Sequence, residues 1–153
     1  VAGSVNVEEL AKAASLRRTA LLSTESDDLG ELSDGNLTVH MARGIAMGNL
    51  VLDSDIVLSQ AGTATIQSLG LGRPAITFIN PRDRRSRFTD EQNLFGDARK
   101  VTEAKPEEVA EALRELLLNE TKRRHLAQMG HIRIGNPGAM DKIVAEITDR
   151  QAA

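Results

Sequence analysis

The stretch from Asp55 to Phe78, DIVLSQAGTATIQSLGLGRPAITF, constrains the fold of this chain more than any other. Ile56, Val57 and Leu58 have the length and β-branching of a buried strand. Gly62 permits a sharp turn, and a helix is predicted from Thr63. Gly70 and Gly72 then allow close packing of that helix. Pro74 opens a second apolar run, and Ala75 to Phe78 completes a βαβ unit. A crossover of this length joins parallel strands, whose C-terminal ends form the ligand side of an open α/β sheet.

The start of the predicted helix has chemistry of its own. Its first backbone N–H groups lack intrahelical partners and lie at the positive end of the helix dipole. Together with the hydroxyls of Thr63 and Thr65 they suit an anion such as a nucleotide diphosphate. Ala61, Gly62 and Ala64 keep bulk out of its way. A glycine followed by threonines also caps many ordinary βα turns, so the motif alone does not discriminate. Its βαβ flanks favour the ligand reading.

Elsewhere, helices and strands alternate without a fixed-period repeat, which predicts a parallel sheet covered by helices in one domain over residues 1–153. Asn6 caps a predicted helix over Val7 to Ala14, with Glu8 and Glu9 in its first turn. Thr19 to Ser23 suits a strand. Thr24 to Asn36, rich in Ser, Asp, Glu and Gly, reads as an exposed, mobile loop. Leu37 to Met41 suits a strand, and Ile45 to Leu52 a short helix with Ile45, Gly48 and Leu52 toward the sheet. Past Phe78, a long connection leads to a helix expected to start near Asp90, Glu91, Gln92 and Asn93. The last third reads as helical and architectural. Pro106 starts a helix whose Val109, Leu113, Leu116 and Leu117 form an apolar face. Asn119 caps a second helix, which Gly130 closes. Asn136 and Pro137 open a third, with Met140, Ile143, Val144 and Ile147 on one face. That stripe suits either the chain's own sheet or another domain, and the sequence does not choose.

Composition removes several classes of function. Among 153 residues, 41% are apolar and 27% charged, ordinary for a globular protein with one sizeable core. There is no cysteine, so disulfide and thiolate chemistry are excluded, in keeping with a cytoplasmic protein. No apolar run approaches the ~20 residues of a membrane span, and no signal-peptide pattern follows Val1. The net charge of −3, with three Phe and no Tyr or Trp, gives neither general attraction to nucleic acid nor a platform for stacking bases. His40, His125 and His131 lack metal-ligand spacing, and His40 is most simply a structural residue of its strand. No metal or cofactor is expected. Ser59 has no nucleophile-elbow pattern around it, and no catalytic residue is assigned.

SQAGTATIQSLGLGRPAIT resembles the nucleotide-sugar motif in the C-terminal half of GT-B glycosyltransferases, in particular lipid-A-disaccharide synthases and related proteins. The resemblance extends from NLTVHMARG near Asn36 to the C-terminal GNPGAMDKIVAEI. It implies a Rossmann-like, three-layer α/β domain that binds a UDP-sugar. Gly62 to Thr65 would lie near the diphosphate, Glu91, Gln92 and Asn93 near the sugar, and the backbone around Arg43 and Gly44 near the base. In the synthases an acid that binds the ribose hydroxyls usually stands where this chain has Gln67, an amide that still hydrogen-bonds but lacks the charge. The resemblance also implies an acceptor-binding N-terminal domain as partner, and Val1 and Ala2 read as the tail of a first strand. Transfer would be metal-independent and inverting, with the base on the partner domain, so these 153 residues alone are expected to be inactive. Two other readings remain: part of a UDP-N-acetylglucosamine 2-epimerase-like enzyme, or a non-catalytic binding or assembly module of the same fold, to which Gln67 points.

Arg82, Arg84, Arg85 and Arg87 make the most basic spot in the sequence. It reads first as a solvated loop, and second as a contact for a phosphate or an anionic lipid headgroup, which would make the protein peripheral to a membrane. A sheet edge left unpaired by a missing first strand would suit a homodimer.

Overall fold

A computed structural model describes residues 6–18, 28–42, 47–60, 62–82 and 84–151. Two compact units lie along the chain, residues 1–53 and residues 54–153.

In the first unit, Asn6 caps α1 (Val7–Ala13): its Oδ1 accepts from the N–H groups of Glu8 at 3.0 Å and Glu9 at 3.2 Å. The predicted strand at Thr19 to Ser23 lies outside the described residues, but β1 (Arg17–Arg18) immediately precedes it. β1 pairs antiparallel with β2 (Asp28–Ser33), which pairs antiparallel with β3 (Thr38–Ala42). The parallel arrangement expected throughout thus does not extend to this unit. The loop expected from Thr24 to Asn36 is also corrected, because its second half is β2 and the turn of a hairpin. Asp34 Oδ1 accepts from the N–H groups of Asn36 and Leu37, both at 2.8 Å, and Ser33 Oγ donates to the Leu37 carbonyl at 2.8 Å. This turn is local chemistry, and the Asp34-Gly35 pair between alternating segments was its signal. It turns Leu32 inward, fully buried with Ala11, Leu16 and Met41. His40 stands on β3 opposite Glu31, with Nδ1 2.8 Å from Glu31 Oε1. In α2 (Met47–Asp53), Val51 is the buried residue, whereas Gly48 and Leu52, expected to face a sheet, are exposed. Ile45 lies outside the described residues.

The second unit is the expected α/β layering. β4 (Val57–Leu58), β5 (Ala75–Ile79) and β6 (Arg99–Glu103) form a parallel sheet in that order. α3 (Gly62–Gly70) makes the crossover from β4 to β5, as the sequence predicts. β4 is shorter and more exposed than the buried strand expected there, because it lies at the edge of this sheet, with Leu58 outward. α4 (Arg85–Phe95) and a 3-10 turn (Gly96–Ala98) lead into β6, which is followed by α5 (Pro106–Leu118), α6 (Glu120–Ile134) and α7 (Ala139–Gln151).

Alternation along β5 divides the core. Ala75 packs with Leu69, Phe95 and Ala98, with Met129 and Ile134 against them. Ile76 packs on the other side with Ala112, Leu116 and Leu126. α6 serves both clusters, and helices therefore cover both faces of the sheet. Leu116 is fully buried in α5, whereas Leu117, expected on the same face, is exposed. Asn119 caps α6 by accepting from Lys122 N–H at 2.9 Å. Gly130 does not close α6, as expected, but lies buried inside it, and the helix runs on to Gly135 at φ +80°. The α7 stripe of Met140, Ile143, Val144 and Ile147 is exposed.

Candidate functional site

The C-terminal ends of the three parallel strands open onto a cavity of about 490 Å³. β4 delivers Ser59 and Gln60, β5 delivers Thr77 to Ile79 with Asn80 and Pro81 after it, and β6 ends at Glu103. α4 forms the remaining wall with Arg84, Arg85, Arg87, Phe88 and Glu91. The basic run is thus not a freestanding loop, because Arg84 is the N-cap of α4 and three of its four arginines reach the cavity. Arg82 stays in the preceding connection, where its N–H donates to Asn80 Oδ1 at 3.0 Å.

Hydrogen bonds tie the strand ends together. Gln60 Nε2 donates to the Phe78 carbonyl at 2.7 Å, joining the end of β4 to β5. Thr65 Oγ1 donates to Ser59 Oγ at 3.1 Å, so this hydroxyl, 2% exposed, is engaged inside the protein while still lining the cavity. Thr63 and Gln67 are exposed on α3. Arg43, Gly44 and Ala61 lie outside the described residues.

The Gly62 turn and Glu91, 29 positions apart in sequence, meet here. A Cβ on Gly62 would stand 3.5 Å from Glu91 Oε1 and 3.9 Å from Arg87 Nη2. Glu91 is held from two sides. Arg99 Nη1 donates to its Oε2 at 2.8 Å, and Arg87 Nε donates to its Oε1 at 3.0 Å. Arg87 Nη2 also donates to the Gln60 carbonyl at 3.2 Å, linking α4 to the end of β4. Burial pushes the Glu91 carboxyl pKa up, but the hydrogen bonds and charges of Arg99 and Arg87 outweigh it and hold the group below the usual carboxylate range. Glu91 is therefore an anion at neutral pH. Asp90 to Asn93 do not begin a helix, as expected, but lie in the second half of α4. Gln92 and Asn93 are exposed and do not line the cavity, and Gln92 Nε2 donates to the Gly96 carbonyl at 3.2 Å.

Nothing in the sequence marks Arg99 or β6. The strand RKVTE holds one apolar residue, so periodicity does not mark it. Yet the Arg99 side chain is only 1% exposed. Its guanidinium carbon lies 5.0 Å from the Phe95 ring centroid and 5.8 Å from that of Phe88, within cation–π range. All three phenylalanines of the chain, Phe78, Phe88 and Phe95, are thus at the cavity or beside this arginine.

The donor set is one for an anionic ligand with hydroxyl groups. Among the described residues, four arginines line the cavity against two carboxylates, and the N-terminus of α3 stands beside it. Among the described residues, no group of His, Cys, Asp and Glu is placed to hold a metal ion. Residues 21–137 match the family model of the glycosyltransferase family 28 C-terminal domain. The chain belongs to that family. No curated protein and no solved structure matches it. The family 28 domain is the nucleotide-sugar-binding part of a glycosyltransferase and implies an acceptor-binding partner domain. The α/β architecture expected of a GT-B C-terminal half is present, with helices flanking the parallel sheet. Among the described residues, no helix is long and apolar enough to cross a membrane.

Proposed function

We propose that this family 28 domain binds the UDP-sugar donor of a lipid-A-disaccharide-synthase-like glycosyltransferase. The observation that carries the reading is the meeting of the Gly62 turn with Glu91 beside an arginine-lined cavity at the strand ends. The diphosphate sits against the N–H groups opening α3, with Thr63 at its side and Arg87 within reach. Glu91, ionised and anchored, accepts from sugar hydroxyls, as a charged acceptor does more strongly than an amide. Gln67, exposed on α3, offers the ribose a neutral partner. When the donor bond breaks, charge develops on the diphosphate, and the dipole of α3 with Arg87 stabilises it. No group in the cavity is assigned as the base that deprotonates the acceptor, which the partner domain supplies. Residues 1–153 alone therefore bind donor without transferring sugar.

Calorimetric titration tests this, and it suits a chain with no Trp or Tyr to report binding by fluorescence. UDP should bind in preference to ADP, and Thr63→Val should weaken UDP several-fold, the loss of one hydrogen bond. Equal binding of UDP and ADP, or an unchanged affinity in Thr63→Val, refutes the assignment.

A further inference from the structure

Arg99 is an unusual residue to find beneath a sugar site. Its side chain is 1% exposed, and only Nη1 is hydrogen-bonded, to Glu91. Its Nε and Nη2 are buried without a hydrogen-bond partner. A buried guanidinium in that state is costly, and an apolar side chain of similar volume would be the cheaper way to fill the space. Among the described residues its one polar contact is Glu91, at 2.8 Å, and the rings of Phe88 and Phe95 confine it. Arg87, the other partner of Glu91, differs in kind: its side chain is 46% exposed and also reaches the Gln60 carbonyl beside the Gly62 turn. One carboxylate thus has a fixed anchor on Oε2 and a solvent-facing arm on Oε1.

We propose that Arg99 is a positioning residue for the donor sugar: from beneath the cavity it fixes Glu91 Oε2, so that Oε1 is held at the Gly62 turn to accept from a sugar hydroxyl. Arg87 is the exchangeable partner. When a diphosphate arrives at the start of α3, Arg87 can turn toward it and release Oε1 to the sugar, while Arg99 keeps the carboxylate in place. This rests on the UDP-sugar reading above and adds to it a residue that acts on the sugar through Glu91.

The test is a double-mutant cycle on Arg99 and Glu91, read with UDP and with UDP-N-acetylglucosamine. Arg99→Lys keeps the charge but shortens the reach, so its ammonium does not meet Glu91 Oε2 where Nη1 does. It should weaken UDP-N-acetylglucosamine about tenfold and leave UDP within about twofold, the loss of a charge-assisted hydrogen bond at the sugar end only. Glu91→Gln should show the same split. The double variant should be little worse than either single one, because both act through one contact. Equal weakening of both ligands would show that Arg99 has no role specific to the sugar, additive losses in the double variant would show that it does not act through Glu91, and either result would overturn the proposal.

A second measurement needs no ligand. In a carboxyl-carbon NMR titration, the Glu91 midpoint should rise in Arg99→Met, and rise less in Arg87→Met, whose charge is better screened by water. An unchanged midpoint in a folded Arg99→Met protein overturns the anchoring. If Arg99→Met does not fold, the same comparison is made with Arg99→Lys, in which the midpoint should still move. If the wild type binds neither ligand, the donor reading and the sugar role fall together, while the titration still decides whether Arg99 anchors Glu91.

Discussion

Replacing Gly130 with alanine sets two known effects against each other, and the structure says which wins. Alanine is favoured over glycine within a helix by about 1 kcal/mol, and Gly130 lies inside α6. Its Cβ, however, would stand 3.0 Å from the Leu69 carbonyl oxygen and 3.3 Å from Leu69 Cα. Those are backbone atoms of a fully buried residue in α3, so relief requires moving a helix rather than rotating a side chain. Overpacking of this kind costs about 1–3 kcal/mol. The net expectation is a loss of about 1 kcal/mol, growing to ~3 kcal/mol for Gly130→Val, which adds two further methyl groups. Gly70→Ala is the control. Among the described residues its Cβ would meet only Ile134 Cγ2, at 3.4 Å, and the expected change lies between zero and a gain of about 1 kcal/mol. Urea denaturation followed by circular dichroism of the helices separates the pair. A Gly130→Ala protein as stable as Gly70→Ala would refute the reasoning, because the α3–α6 approach would then not be limited by that contact. Since α3 carries the Gly62 turn, Gly130→Val should also weaken UDP in the same calorimetric assay.

The Glu91 carboxyl is held below its ordinary range in the folded protein by Arg99 and Arg87, against burial. Its contribution to stability is therefore present in full above the ordinary glutamate value of about 4.3 and is lost as pH falls through the lower folded value. Denaturation midpoints of the wild type should drop more steeply between about pH 5 and 3 than those of Glu91→Gln, and parallel curves would contradict the pairing. Leu116, fully buried against Ile76, Ala112 and Leu126, should cost about 2–5 kcal/mol on truncation to alanine in a thermal or urea melt, and a loss under about 1 kcal/mol would mean that this side of the sheet collapses around the gap.

Where residues near in sequence set the structure, the sequence was legible. The βαβ unit over Asp55 to Phe78 lies where its apolar runs and Gly62 place it, because propensity, turn chemistry and periodicity agree there. Asn6, Pro106 and Asn119 start the helices expected of them, since capping involves residues two or three positions away. The hairpin at Ser33 to Leu37 was equally local. Its polar composition favours a loop, although Asp-Gly between alternating segments is a turn signal. Local residue chemistry is enough for the crossover, the helix starts and an anion-suited turn.

Tertiary structure decided the rest. The polar strand β6 exists because β5 offers it a parallel ladder, not because of any apolar pattern of its own. Gly130 carries the same residue type as a helix terminator, and only the approach of Leu69 makes it a packing residue. The site itself is assembled by the sheet, which brings Gly62, Glu91 and Arg99 to one point. A buried arginine reads in sequence like any exposed one. Only the walls that exclude water from Arg99, and the carboxylate that meets it at 2.8 Å, distinguish it.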